Sequence, residues 1–341
     1  MNADRLGIAA AGNWVIDHVK VVDVYPQQDN LANILSVSHG NGGAPYNVLK
    51  DLARLGSGFP LEGIGLLGAD PDGDSIIADC GRCAIGTAQL ARTPDAPTSF
   101  TDVMTVRATG RRTFFHHRGA NALFDLPQID PERIRARIFH LGYLLLLDRL
   151  DLPSATHGTR AAELLATLSA RGIKTSIDVV SEDSGRFATV VTPALRHTDF
   201  CILNELEAER TTGIPTRSEG RIDRAAVATA AARLLEHGVR AWVVVHFPEG
   251  GYALSADGTA HFQPSVNLPA DQIDGTAGAG DAFCAGVLHG LHEGAAMSDA
   301  LRLAVCTAAA SLRDVTCSEG IGSIHDVLQL GETFGFQPGN P

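Results

Sequence analysis

A run of small residues, Gly275-Thr276-Ala277-Gly278-Ala279-Gly280, leads straight into Asp281 and an apolar helical pattern beginning at Ala282. Small residues let a backbone turn sharply and approach a ligand closely. The first N–H groups of a helix have no internal partners, and the helix dipole favours an anion beside them. The amides of Gly278, Ala279 and Gly280 are therefore suited to cradle a phosphoryl group. Asp281 is the odd member, because a carboxylate beside such a cradle repels the ligand. It makes sense as a base that takes the proton of an attacking hydroxyl while phosphate is transferred. The plainer alternative is that Asp281 caps the helix. No Lys-Ser/Thr pair follows the glycines, so the segment is not a P-loop.

Such a loop needs a scaffold, and the rest of the chain supplies one. Apolar β-like runs at 6–10, 63–67, 138–141, 175–177, 200–203 and 242–245 alternate with helical patterns at 45–55, 159–170, 224–237, 282–294 and 298–312. Buried strands separated by helices predict a three-layer α/β/α domain with a mostly parallel sheet. Two stretches break the rhythm. Residues 99–117 read as a hairpin turning at Thr109-Gly110, and residues 15–38 hold β-branched runs with little helical signal. Together they predict a small β-sheet lid standing off one domain of residues 1–341, formed by segments of about 15–38 and 99–121. The tail from about Gly335 reads as loose.

Composition agrees with a packed globular protein. The 341 residues are 45% hydrophobic and 19% charged, and Lys+Arg 27 against Asp+Glu 39 leaves a net charge of −12. That composition argues against disorder, and the acidity against a non-specific nucleic-acid binder. No apolar run reaches the roughly 18–20 residues of a membrane span, and nothing at the N-terminus resembles a signal peptide. Six cysteines in so long a chain do not suggest a disulfide scaffold, so a reducing cytoplasm is the expected location.

Residues 274–286 resemble the second signature of the ribokinase-like (PfkB) carbohydrate kinases, and Gly42-Gly43-Ala44-Pro45-Tyr46-Asn47 through Gly56 resembles the first. The two motifs stand in the family order, separated by most of the chain. The resemblance implies a ribokinase-like fold and ATP-dependent phosphorylation of a sugar hydroxyl. It makes Asp281 the catalytic base, with Gly278, Ala279 and Gly280 as the anion hole. It matches Asn13 and Asp17 to the N-terminal sugar-binding segment, and Gly42, Gly43 and Asn47 to the sugar-contacting part of the first signature. A carboxylate and an amide together accept and donate hydrogen bonds, which suits a polyol. Asn204 and Glu207 match the N-x-x-E motif that influences the Mg²⁺–phosphate assembly, and they equally suit a capped helix start. Gly119-Ala120-Asn121-Ala122 resembles the end of the ribokinase lid, on which Phe114 is placed to meet the sugar or, alternatively, to pack in the core or at a dimer interface.

Some positions depart from the family pattern. Thr276 keeps its hydroxyl, but Gly275 and Ala277 stand where Thr and Thr or Gly are frequent. His246 and Pro248 replace Thr and Gly on the nucleotide turn, which keeps Gly251. Asp178-Val179-Val180-Ser181 replaces the D-x-N-x-R of ketohexose and ketogluconate kinases. ATP and Mg²⁺ are the implied cofactors, with K⁺ an open addition whose contacts relatives place in residues 316–322. The implied partners are a small sugar and a second copy of the chain, with no nucleic acid or membrane. A nucleoside kinase of the same superfamily and an inactive sugar-binding regulator are the alternatives. Gly63-Ile64-Gly65-Leu66-Leu67-Gly68 matches G-x-G-x-x-G formally, yet its apolar residues read as the strand itself, against a dinucleotide site. Cys80 and Cys83 read as two ordinary thiols on one helix, and the Arg111-Arg112 pair reads as solvated charge at a turn, with an arginine over a phosphate as the alternative.

Overall fold

Residues Ile8–Gly12 read Ile-Ala-Ala-Ala-Gly, and all five are buried. A strand that hides both faces lies inside a sheet covered on both sides. The computed structural model, which describes residues 5–338, places this strand within a nine-stranded sheet. The order is Ala260–Pro264, Gly250–Ser255, Trp242–Phe247, Phe200–Asn204, Lys174–Val179, Ile138–Leu144, Ile8–Gly12, Leu61–Gly68, Ile85–Thr93. The first three strands pair antiparallel with one another, and all the remaining pairs are parallel. The side-chain period of two divides the core between the two faces. Ile8 and Ala10 pack into one hydrophobic cluster with the helices Ala44–Arg54, Ala279–Glu293 and Met297–Ser311. Ala9 and Ala11 pack into the other, with Arg160–Ala170, Phe187–Leu195 and Arg224–Glu236. The fold is thus the expected three-layer α/β/α architecture.

Each strand and helix expected from periodicity is present, with ends shifted by a few residues. The 63–68 glycine run lies inside the Leu61–Gly68 strand. One shift matters for chemistry. The helix expected from Ala282 begins at Ala279, because Gly278 adopts a left-handed conformation (φ 75°) that turns the chain into it. Asp281 is therefore inside the first turn, and no side chain caps this helix, which removes the capping alternative. The tail is also less free than expected: Phe336 bridges to Val266, and the Gln337 N–H bonds the Ser265 carbonyl at 2.8 Å. Residues 1–4 and 339–341 of the expected 1–341 span lie outside the described residues.

A second sheet of four strands runs in the order Ile34–Gly42, Val15–Val22, Ser99–Val106, Arg112–His117. Its middle pair is parallel and its outer pairs antiparallel. The hairpin turns at Thr109-Gly110, where Gly110 takes φ 65°. Its first half runs on past Ser38, since Gly42 pairs with Val15. Among the described residues no helix is long and apolar enough to cross a membrane.

Candidate active site

The strand order reverses beside Ile8–Gly12: the chain proceeds from there to Leu61–Gly68 on one side, and later strands build outward from Ile138–Leu144 on the other. Ligands of open α/β sheets bind at the carboxyl ends of strands at such a switch point. A cavity of about 550 Å³ opens there. It is lined by Asp17, Thr101, Phe114 and His116 from the small sheet and by Gly43 and Asn47 from the first signature. Tyr143, Asp178, Ser181, Asn204, Glu207 and His246 come from the carboxyl ends of the main strands, and Thr276 through Asp281 from the glycine-rich loop and helix start.

Asp281 is 5% exposed and faces this cavity. Its Oδ2 accepts from Asn47 Nδ2 at 2.7 Å, and the Tyr143 hydroxyl donates to Oδ1 at 2.7 Å and to Oδ2 at 2.8 Å. Burial pushes the carboxyl up to about 6, against the lowering effect of the Asn47 and Tyr143 bonds. The helix's own hydrogen bonding begins with Ala282 N–H to the Gly278 carbonyl at 2.8 Å. The amides of Ala279, Gly280 and Asp281 precede it and have no carbonyl partner from the helix. His246 packs over this turn, near enough that a Cβ on Gly280 would come 3.1 Å from its ring, and burial pulls the imidazole down to about 4. It is neutral at physiological pH.

Asp17 stands at the other end of the cavity. Burial pushes it up to about 7; its Thr101 bond and the nearby Arg112 charge oppose that, while the Asp281 charge adds to it. A Cβ on Gly42 would sit 2.5 Å from Asp17 Oδ1, so the first signature needs glycine there to admit this carboxylate. Asn47 is held in turn by Asn41, whose Nδ2 bonds Asn47 Oδ1 at 2.7 Å and Ser318 Oγ at 2.9 Å. Asn204 and Glu207 form the capping box that starts the Glu205–Thr212 helix: Asn204 N–H donates to Glu207 Oε2 at 2.8 Å, and Glu207 N–H to Asn204 Oδ1 at 2.9 Å. Ser181 adds a hydroxyl bond to Glu207 Oε1 at 2.7 Å. Burial pushes Glu207 up to about 7 and Asp178 well above the carboxylate range. The oxygens of Asp178, Asn204 and Glu207 are hard donors of the type Mg²⁺ takes, although among the described residues no three or more His, Cys, Asp or Glu side chains are grouped to hold a metal ion by themselves.

Three expected site residues stand apart from the cavity lining. Asn13 is fully buried and spends its amide on the scaffold: Nδ2 donates to the Leu146 carbonyl at 3.0 Å, and Oδ1 accepts from Tyr143 N–H at 2.6 Å. It orients the strand end that presents Tyr143. Gly42 admits Asp17 from behind. Gly251 packs on the Phe283 ring, which a Cβ there would meet at 2.6 Å. Conversely, no motif singled out Tyr143, Ser181 or Thr101. Tyr143 sits at the carboxyl end of the buried Ile138–Leu144 strand at the switch point, and a hydroxyl-bearing aromatic in that place was its one available signal.

Comparison with known proteins identifies the family. The model of the pfkB family of carbohydrate kinases matches residues 8–322. Over 256 residues the chain is 27% identical to ribokinase of Arabidopsis thaliana, covering 74% of this chain and 62% of that protein. It is 24% identical to 5-dehydro-2-deoxygluconokinase of Clostridium beijerinckii over 84% of this chain and 82% of that one. It is 23% identical to deoxyribokinase of Salmonella typhimurium over 96% and 100%. The structure of Arabidopsis ribokinase complexed with ribose and ATP superposes with a TM-score of 0.78 at 21% identity, covering 96% of this chain and 98% of that one. A nucleoside kinase of Methanocaldococcus jannaschii gives 0.73 at 18% identity, over 96% and 98%. With both signatures converging on one cavity and the family match spanning nearly the whole chain, this protein belongs to the pfkB family of carbohydrate kinases.

Proposed function

We propose that the protein transfers the γ-phosphoryl group of ATP to a hydroxyl of a small carbohydrate, with Asp281 as general base. The observation that carries this reading is the meeting of the Asp281 carboxylate with the amides of the Gly278–Gly280 turn in one cavity that also holds Asp17 and Asn47. Asp17 accepts hydrogen bonds from sugar hydroxyls and orients the acceptor. Asp281 Oδ2 accepts from Asn47 and shares the single Tyr143 hydroxyl proton with Oδ1, which leaves Oδ1 the less engaged oxygen. A carboxylate oxygen has two lone-pair sites, so the attacking hydroxyl meets Oδ1. As the oxygen attacks the γ-phosphorus, the bond to the β,γ-bridging oxygen breaks and ADP leaves with its electron pair, the hydroxyl proton passes to Oδ1, and the turn amides stabilise the charge growing on the phosphoryl oxygens. Thr276 and the neutral His246 offer further donors on the phosphate side. Mg²⁺, when bound, offsets phosphate charge. Asp178, Asn204 and Glu207 would hold it, with Glu207 acting through water because its oxygens are already engaged. Closure of the small sheet as a lid excludes water.

The related proteins act on ribose, deoxyribose and a dehydrodeoxygluconate by their names, and a free sugar or sugar acid is the proposed acceptor class. A nucleoside is the second reading, supported by Phe114, which is 58% exposed at the cavity and offers a face on which a base would stack. The outer face of the lid carries exposed Val37 and Phe115, and we assign it to a homodimer contact. All six cysteines are unpaired, which suits the proposed cytoplasmic location. ADP release with ATP against a panel of sugars and nucleosides tests the assignment. Asp281→Asn should lower kcat by about 10²–10⁴ while nucleotide binding and thermal stability persist. Turnover near wild type in that variant removes Asp281 from the role of base, and an inert wild type across the panel favours a regulator.

A further inference from the structure

Arg112 does not behave as the solvated charge its sequence context suggests. It pairs with Thr105 in the small sheet, and the period of two puts it on the same face as Phe114 and His116, toward the active site. Its guanidinium enters a narrow cleft lined by Asp17, Gly40, Asn41, Ala277, Thr316 and Cys317. Nε and Nη1 are buried there and have no hydrogen-bond acceptor among the described residues. The Nη2 end presses on the glycine-rich loop: a Cβ on Gly275 would lie 2.5 Å from Nη2 and 2.7 Å from the Asp314 carbonyl oxygen. Glycine at 275, in place of the frequent threonine, makes the room for this side chain.

The cleft lies where two loops meet. The amides of Asp274 and Gly275 both reach the Leu312 carbonyl, at 2.8 and 3.2 Å. A Cβ on Gly278 would come 2.9 Å from the Cys317 carbonyl oxygen. The junction of residues 274–278 with 312–317 thus brings the Leu312, Asp314 and Cys317 carbonyls up against the glycine-rich loop. Such a junction calls for positive charge, and Arg112 brings it. Burial lowers the guanidinium's affinity for its proton, and Cys317 and Asp17 oppose the effect. An arginine in a protein remains charged regardless.

We propose that Arg112 is a resident cation that takes the place of K⁺ at this junction, so that the enzyme works without a monovalent metal ion. The inference rests on the kinase reading above. It follows from a disagreement: the family resemblance allows K⁺ near residues 316–322, but a K⁺ ion at this junction would meet a fixed positive charge at close range. Arg112 is a positioning residue. It packs against the glycine-rich loop at Gly275 and adds fixed positive potential behind the turn, where phosphoryl oxygens gather.

The test uses the full chain in matched chloride buffers of K⁺ or tetramethylammonium, reading both ADP release and thermal denaturation. Wild-type turnover should differ by less than about twofold between the two buffers, with the same Tm. Arg112→Met should lose about tenfold or more in kcat in tetramethylammonium, and Arg112→Lys should recover most of it. Activation of the wild type by K⁺ of about tenfold or more, or a K⁺-specific rise in its Tm, overturns the proposal. So does an Arg112→Met variant that raises only the acceptor KM, which would make Arg112 a sugar contact. Should the wild type release no ADP with any acceptor, the kinase reading fails, while the Tm comparison still decides the question of the cation.

Discussion

Tyr143 and Asn47 grip the Asp281 carboxylate from two sides, and the balance between that grip and burial sets the pH range of the reaction. Asp281 must be ionised to accept a proton. Its carboxyl is pushed up to about 6, so kcat/KM should fall as pH drops through that value and level off above it. Both bonds favour the ionised form. Tyr143→Phe deletes one of them, which raises the Asp281 pKa further and moves the acid limb of the rate profile to higher pH. At pH 8 the loss in kcat should be about ten- to a hundredfold, the worth of one hydrogen bond to a charged group. A pH–rate profile measured beside wild type checks this. An acid limb that does not move would mean that Tyr143 shapes the pocket without tuning the base.

At the scale of elements, the turn that opens the Ala279–Glu293 helix depends on a glycine with φ 75° at 278. An alanine there meets two penalties. The left-handed conformation costs about 1–2 kcal/mol, and its Cβ would lie 2.6 Å from Cys317 Cβ. Gly278→Ala should therefore lower the Tm and lower kcat, because relief of the clash shifts the amides that bind phosphate. Farther along, Gly286 faces Ala304 in the Met297–Ser311 helix, and a Cβ on it would sit 2.5 Å from Ala304 Cα. The close approach of these two helices holds the catalytic turn against the sheet. Gly286→Val should overpack that contact at a cost of about 1–3 kcal/mol, read as a lower urea midpoint.

At the scale of the whole molecule, the main sheet supplies strand ends and the small sheet supplies a cover. Asp17 and Phe114 line the cavity from the cover, and Asp281 and Tyr143 from the body. On the opposite side of the cover, Val37 and Phe115 are exposed at 57% and 52%, more apolar side chain than an edge sheet commonly gives to water. Val37→Glu with Phe115→Glu should convert the proposed dimer to a monomer in light scattering. Wild type that is already monomeric at assay concentration would sink the assignment.

The alternation of buried strands with amphipathic helices made the layered fold legible, because periodicity reports which faces are buried and a parallel sheet buries both. The glycine-rich run into Asp281 was legible too, since a cradle of amides needs small residues in sequence. The hairpin at 99–117 could be read from its turn residues. Partners distant along the chain could not. Tyr143 lies 138 positions from Asp281, and local composition does not encode a hydroxyl that reaches a carboxylate across the sheet. Asn13 matched a sugar-binding segment, yet its amide went to the backbone at Tyr143 and Leu146, a choice made by the packing of neighbouring strand ends. Arg112 read as solvent-facing because a turn so often is; the register of the small sheet and the room left by Gly275 turned it inward. Local pattern governs what a segment forms, whereas the direction and company of a polar side chain are decided only when remote segments close around it and remove its access to water.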